Sequence, residues 1–272
     1  MKYTQNLHTH CTYCDGKNTP REIAECALKK GFDSLGFSCH SPMFYAPTYT
    51  KFAPVHEDYK KEILTLKQEY KDKLDIFLGL EFDIFSKVDL TGFDYIIGAA
   101  HYFHIGDEYI AYDRDSATVK RVIDEYFGGD GLKYARMYYE DMARLPEYAH
   151  IDIVGHFDLI TKHVENTDFF DTESPLYRSY ALNALHTLAE KVNIFEINTG
   201  AIARGYRTSP YPQPFILKEL KKLGMGIIIS SDCHDMNFLD CHFDSALQLL
   251  TDCGFGEVYI LTKSGFKSVP LY

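Results

Sequence analysis

Two short motifs, His8-Thr9-His10 near one end of the chain and Asp232-Cys233-His234 near the other, bring metal-type donors together at a spacing of two. In an extended segment residues i and i+2 project to the same side, so both donors of each motif can grip one cation. Between the motifs, Asp15, His40, Glu81, His101 and His156 each close or follow a short apolar run. Together these residues are six imidazoles and three carboxylates, nitrogen and oxygen donors that suit a metal ion. A single His-x-His is more often structural than metal-binding. Nine such residues, all expected at the C-terminal ends of strands, point to a metal site.

The elements that must position them can be traced along the chain. Apolar runs at about 2–7, 34–38, 74–80, 93–99, 151–154, 193–197, 226–230 and 257–261 read as strands. They are continuous rather than alternating, which implies burial on both faces, as in a parallel sheet covered by helices. Amphipathic segments separate them. Thr19, Pro20 and Glu22 spell the start of a helix, a Thr-x-x-Glu capping box with proline at the first position, and Gly31 its stop. Tyr59, Ile63, Leu66 and Tyr70 share one face of a helix over about 56–72. Further helices are predicted over about 116–127, 132–145, from Ser174-Pro175 onward, over 214–223 and over 239–253. That makes seven or eight βα units. An open sheet would gather its ligand near one switch point, whereas a barrel brings the ends of most strands together. The distribution of the nine residues favours a barrel, with the metal site at the C-terminal ends of its strands.

Composition is consistent with one domain spanning 1–272. The chain is 46% apolar and 25% charged, and no linker or low-complexity tract interrupts it. Its formal charge is -11, with no basic cluster, so a nucleic-acid partner is not expected. No apolar run is long enough to span a membrane. Seven cysteines, an odd number, without a visible leader suggest reduced thiols and a cytoplasmic location. Cys11 and Cys14 form a Cys-x-x-Cys with no second such pair elsewhere. These cysteines are expected to pack at the barrel mouth. His56, His104, His150, His163, His186 and His242 fall outside the strand-end pattern and receive no function.

At this point the motifs form a recognisable set. His8-Thr9-His10, Asp15, Ser38-Cys39-His40, Gly79-Leu80-Glu81, Gly98-Ala99-Ala100-His101, Gly155-His156-Phe157-Asp158 and Ser231-Asp232-Cys233-His234 resemble the polymerase-and-histidinol-phosphatase (PHP) superfamily, most closely its monofunctional histidinol-phosphate phosphatase branch. The resemblance implies a distorted (β/α)7 barrel and three divalent metal ions, Zn, Mn or Fe. By that resemblance His8, His10, Glu81 and Asp232 hold the first metal. Glu81 bridges to a second held by His101 and His156, and Asp15, His40 and His234 hold the third. Many superfamily members carry His where this chain has Asp15.

The resemblance also implies a phosphomonoesterase acting on L-histidinol phosphate, a small phosphorylated metabolite of histidine biosynthesis, through a metal-activated hydroxide that attacks phosphorus. Glu81, Asp232 and His234 are the expected catalytic residues. Lys162, Arg204 and Arg207 are the candidate phosphate-binding residues, although the Arg204 to Arg207 loop departs from the family spacing. Asp158 and a metal-bound water are the candidate acids for the leaving group. Two other readings stay open: a phosphatase or phosphodiesterase for another small metabolite or nucleotide, and a non-catalytic or polymerase-associated module.

Overall fold

A computed structural model describes residues 2–46 and 56–271 of the chain. Its first half runs β1 (Gln5–Asn6), α1 (Pro20–Lys30), β2 (Ser34–Phe37), α2 (His56–Glu69), β3 (Asp75–Asp83) and β4 (Tyr95–Ala99). A hairpin of β5 (Tyr102–Ile105) and β6 (Glu108–Ala111) precedes α3 (Ser116–Phe127), α4 (Gly131–Ala143) and the single turn α5 (Leu145–Tyr148). Next come β7 (Ile153–Val154), α6 (Pro175–Ala189), β8 (Ile194–Asn198) and α7 (Gly200–Ala203). The chain then continues through α8 (Pro214–Lys222), β9 (Gly226–Ser230), α9 (Phe243–Asp252), β10 (Glu257–Thr262) and β11 (Gly265–Pro270).

Among the described residues, seven strands pair in parallel in the order β1-β2-β3-β4-β7-β8-β9. Just past β1, His10 N donates to Cys233 O at 2.8 Å and Cys233 N to His8 O at 3.0 Å. This parallel bridge between Thr9 and Cys233 draws the two edges together at the C-terminal rim, making a nearly closed barrel as expected.

Local signals are obeyed closely. The Thr19 hydroxyl accepts from Glu22 N while the Glu22 carboxylate accepts from Thr19 N, and Gly31 ends the helix in the left-handed region at φ 76°. Inside the barrel, Leu7, Phe77, Tyr95, Ile97, Ile153, Ile194 and Ile228 form one buried cluster. Tyr95 crosses it with its ring against Gly79, where an added Cβ would stand 2.2 Å from Tyr95 Cζ. Only glycine leaves room there for a phenol that reaches the carbonyls of Leu7 and Phe37. A second, larger core lies between strands and helices, where Tyr139 of α4 meets Phe157 and Tyr177 at ring separations of 5.5 and 5.7 Å.

The last predicted strand is not a barrel strand. β10 pairs antiparallel with β11. Its Leu261 joins the interior cluster, and Gln5 receives Leu261 N and donates to Leu261 O, both at 2.8 Å. The hairpin therefore packs at the N-terminal end of the barrel, and its burial produced an apolar run like those of the barrel strands. The β5–β6 hairpin was not expected, because apart from buried Phe103 its residues are partly or fully exposed and carry no continuous apolar run. The final helix starts at Phe243 rather than at 239, because residues 239–242 form turns and His242 stands in the left-handed region at φ 56°. Among the described residues no helix is long and apolar enough to cross a membrane.

Candidate metal centre

All nine sequence-selected residues meet at the C-terminal rim. His8 and His10 lie on the continuation of β1, His40 beyond β2, Glu81 within β3, His101 beyond β4, His156 beyond β7, and Asp232 and His234 beyond β9. Asp15 sits on a turn closed by Cys14 N to Cys11 O at 2.9 Å, which Lys17 N anchors to His234 O at 2.8 Å. Asp232 adopts φ 46°, a left-handed conformation that aspartate tolerates better than most residues and that recurs where backbone is held for function.

Four atoms surround a common point. His10 Nε2 lies 3.4 Å from Glu81 Oε2 and 3.2 Å from Asp232 Oδ1, and His8 Nε2 lies 3.5 and 3.7 Å from the same two oxygens. Donors held tetrahedrally about 2.1 Å from a cation would stand about 3.4 Å apart. His8 Nε2, His10 Nε2 and Glu81 Oε2 are buried, and no hydrogen bond reaches them. Leaving such atoms unsatisfied costs on the order of 1–3 kcal/mol each, a cost that a bound cation removes. The donor set fits a divalent metal.

Glu81 is the hub. Its Oε1 lies 2.8 Å from His156 Nε2 and 3.5 Å from His101 Nε2, and its Oε2 lies 2.7 Å from His40 Nδ1. At the outer end, Asp15 Oδ1 lies 3.3 Å from His234 Nε2 and 3.5 Å from His10 Nδ1, while Oδ2 lies 3.6 Å from His40 Nε2. Burial would raise Glu81, but His40, His8, His101 and His156 hold it well below the usual carboxylate range. Asp232 is likewise held low against its burial, chiefly by Arg204 and His8. Burial would lower His8, yet Glu196, Glu81 and Asp232 raise it well above its ordinary value. The carboxylates are thus held ionised in a buried site, which suits cation binding, and a bound cation would displace the proton from His8 Nε2.

Two carboxylates behind the ligands had no role assigned from sequence. Glu196 Oε1 lies 2.7 Å from His8 Nδ1 and accepts from Ser230 Oγ, while Oε2 accepts from His156 N at 2.8 Å and Asn198 Nδ2 at 2.9 Å. Asp83 Oδ2 accepts from His101 N at 2.9 Å and lies 3.2 Å from His101 Nδ1, and Tyr45 Oη donates to Oδ1. The signal for Asp83 was its spacing of two from Glu81 on one strand, which puts both on one face.

A cavity of about 240 Å³ opens over the centre, lined also by Lys162, Arg204, Asp113, Tyr206 and Leu159. Lys162 Nζ lies 3.1 Å from Asp113 Oδ2 and 4.7 Å from the centre of the Tyr206 ring. Arg204 donates to Asp232 Oδ2 at 2.8 Å and Asp232 O at 2.9 Å. Asp113 and Tyr206 were missed, because a loop residue far along the chain carries no periodic signal.

Two expectations are corrected. Arg207 does not line this cavity; it is buried and donates to Thr161 Oγ1 and, at 3.1 Å, to Ser209 Oγ. Asp158 also lies outside the cavity wall, fully buried, with Oδ2 accepting from Gln213 N at 3.0 Å. Cys11 and Cys14, expected to pack at the mouth, are buried, and so is Cys39.

Known proteins share this arrangement of sequence and fold. The PHP domain family matches residues 6–200. The histidinol-phosphatase of Bacillus subtilis strain 168 is 26% identical over 264 residues, covering 89% of this chain and 97% of that protein. A probable histidinol-phosphatase of Deinococcus radiodurans is 28% identical, covering 91% and 92%. A crystal structure of histidinol phosphate phosphatase from Lactococcus lactis, complexed with Zn, L-histidinol and phosphate, superposes with a TM-score of 0.74 at 22% identity, covering 97% and 98%.

Proposed function

The chain belongs to the PHP domain family, and on that footing we propose that it is a metal-dependent phosphomonoesterase that hydrolyses L-histidinol phosphate to L-histidinol and phosphate. The observation that carries this is the set of buried, unbonded donor atoms of His8, His10 and Glu81 beneath a cavity whose rim holds Lys162 and Arg204. Relatives matched over nearly their whole length, and named for this activity, support the choice of substrate.

In this reading His8, His10, Glu81 and Asp232 hold one divalent ion, Glu81 with His101 and His156 a second, and Asp15, His40 and His234 a third, the ions being Zn, Mn or Fe. Such ions would neutralise phosphoryl oxygens and lower the pKa of a water enough to supply hydroxide at neutral pH. Glu81, Asp232 and His234 are the residues we place against the reacting centre. Lys162 and Arg204 orient the phosphoryl group. Asp113 takes one of the three ammonium donors of Lys162, which leaves two for phosphate. Arg204 keeps Asp232 ionised and fixes its carboxylate while presenting its remaining donors to the cavity. The whole chain acts as one domain, and its partner is a small phosphorylated metabolite.

The test is phosphate release from histidinol phosphate and from p-nitrophenyl phosphate, before and after chelation. We expect loss of activity on chelation, recovery with Mn or Zn, and at least a ~100-fold preference for histidinol phosphate, equivalent to about 3 kcal/mol. Equal efficiency on the two esters would point to another phosphoester, and full activity in metal-free protein would end the reading.

A further inference from the structure

The proposed chemistry leaves Cys11, Cys14 and Cys39 without a task, although each adjoins a candidate ligand: Cys11 follows His10, Cys14 precedes Asp15, and Cys39 precedes His40. From two distant stretches of chain they converge on one point. Cys14 Sγ lies 2.6 Å from Cys39 Sγ, and Cys11 Sγ 3.3 Å from Cys39 Sγ. Cys14 Sγ also lies 3.4 Å from His10 Nδ1. Buried cysteines often serve only as small apolar fillers. Three thiols in mutual contact behind one ligand, each next to another or to that same ligand in sequence, are placed to do more.

We infer that Cys14 and Cys39 form a reversible oxidation site whose disulfide weakens metal retention at the end of the centre formed by His10, Asp15, His40 and His234. The inference rests on the metal-centre reading above. Sulfur atoms in a disulfide are about 2.05 Å apart, so roughly 0.6 Å of sulfur travel closes the gap. Cys14, at 7% exposure, is the most open of the three, against 3% for Cys39 and 0% for Cys11. The oxidant is hydrogen peroxide, small enough to enter where water does. The Cys14 thiol attacks the peroxide O–O bond, giving a sulfenic acid and one water. Cys39 then attacks the sulfenic sulfur, the S–S bond forms, and a second water leaves with the remaining thiol proton. Peroxide is reduced by two electrons and the two thiols are oxidised by the same two. A dithiol reductant reverses the change. The bridge removes Cys14 Sγ from His10 Nδ1 and ties the residues beside it, Asp15 and His40, to one another, so the donors can no longer adjust independently around a cation.

The experiment treats metal-free protein with a small excess of hydrogen peroxide, so that no cation is available to be oxidised. Free thiols are counted after denaturation, a non-reducing peptide map locates any bridge, and zinc is titrated in competition with a chromogenic chelator. The expected result is two fewer thiols than the seven present, a peptide joining Cys14 to Cys39, and at least a tenfold loss of affinity at one zinc site, reversed by dithiothreitol. Cys39→Ser should abolish the response and Cys11→Ser should keep it, each compared with its own reduced form. The peptide map of the unaltered protein decides the matter even where a variant fails to fold. Absence of a Cys14–Cys39 bridge overturns the inference, as does a bridged protein that binds zinc like the reduced one. Reduced protein that binds no zinc at all would instead sink the metal-centre reading, while the map still reports on the bridge.

Discussion

Glu196 Oε1 stands 2.7 Å from His8 Nδ1, with both side chains fully buried. The carboxylate holds the proton on Nδ1 and thereby points the Nε2 lone pair at the place where Glu81 and Asp232 converge. Carboxylate partners of this kind fix both ring orientation and tautomer in metal sites, and their loss commonly costs 10–100-fold in affinity. Glu196→Gln keeps the shape but can donate to Nδ1 and so reverse the tautomer. We expect zinc affinity, measured by chelator competition, to fall by about 10–100-fold with little change in melting temperature. Unchanged affinity would show that Glu196 merely fills the barrel.

Lys162 should act on the part of the substrate that all phosphate esters share. Its ammonium is partly neutralised by Asp113 at 3.1 Å, yet it keeps two free donors at the cavity. Lys162→Ala should lower kcat/KM by a similar factor, about 10–100-fold, for every ester tested, as expected for a charge-assisted contact worth about 1.5–3 kcal/mol. A loss confined to histidinol phosphate would assign Lys162 to the alcohol portion instead.

Arg207 should behave oppositely. Its guanidinium is buried against Thr161, Ser209 and the Tyr211 ring, whose centre lies 4.8 Å away, with Glu165 3.6 Å from Nε. Removing it takes the donor from buried Thr161 Oγ1 and empties the space beside the Tyr211 ring, so Arg207→Ala should destabilise the fold by about 2–4 kcal/mol in denaturant titrations. The KM for phosphate esters in the folded fraction should move less than twofold. A large rise in KM with unchanged stability would return Arg207 to the phosphate site.

Asp141 makes stability depend on pH. Burial pushes its carboxyl up to about 7, against the opposing pull of Arg144, and Oδ2 has no hydrogen-bond partner. Because the folded value lies above the unfolded one, the folded state binds the extra proton between about pH 4 and 7. The neutral form therefore stabilises the protein at low pH, and that contribution is lost as pH rises through about 7. Asp141→Asn should gain on the wild type as pH rises, reaching about 2–4 kcal/mol above pH 8, since each tenfold difference in proton affinity between the folded and unfolded chain is worth about 1.4 kcal/mol. The test is urea unfolding of both proteins at pH 5 and pH 8; a constant difference would refute the titration.

The amino-acid sequence by itself determined the barrel and the residues that meet on it. Continuous apolar runs demand two-sided burial, caps such as Thr19 and Gly31 mark helix ends wherever the helix packs, and donors placed just after such runs fall on one rim once the strands run parallel. These are local properties, readable without knowing what touches what. Burial alone does not name a partner, so the run in β10 looked like a barrel strand although it pairs with β11 across the far end. Contacts across long sequence separation were decided only in three dimensions. Glu196 reaches His8 from 188 positions away and Cys39 reaches Cys14 from 25, while Arg207 turns inward to Thr161, 46 positions away. Nothing in the flanking residues of any of these side chains encodes the direction it takes. That direction follows from which strand lies beside which and from the register between them.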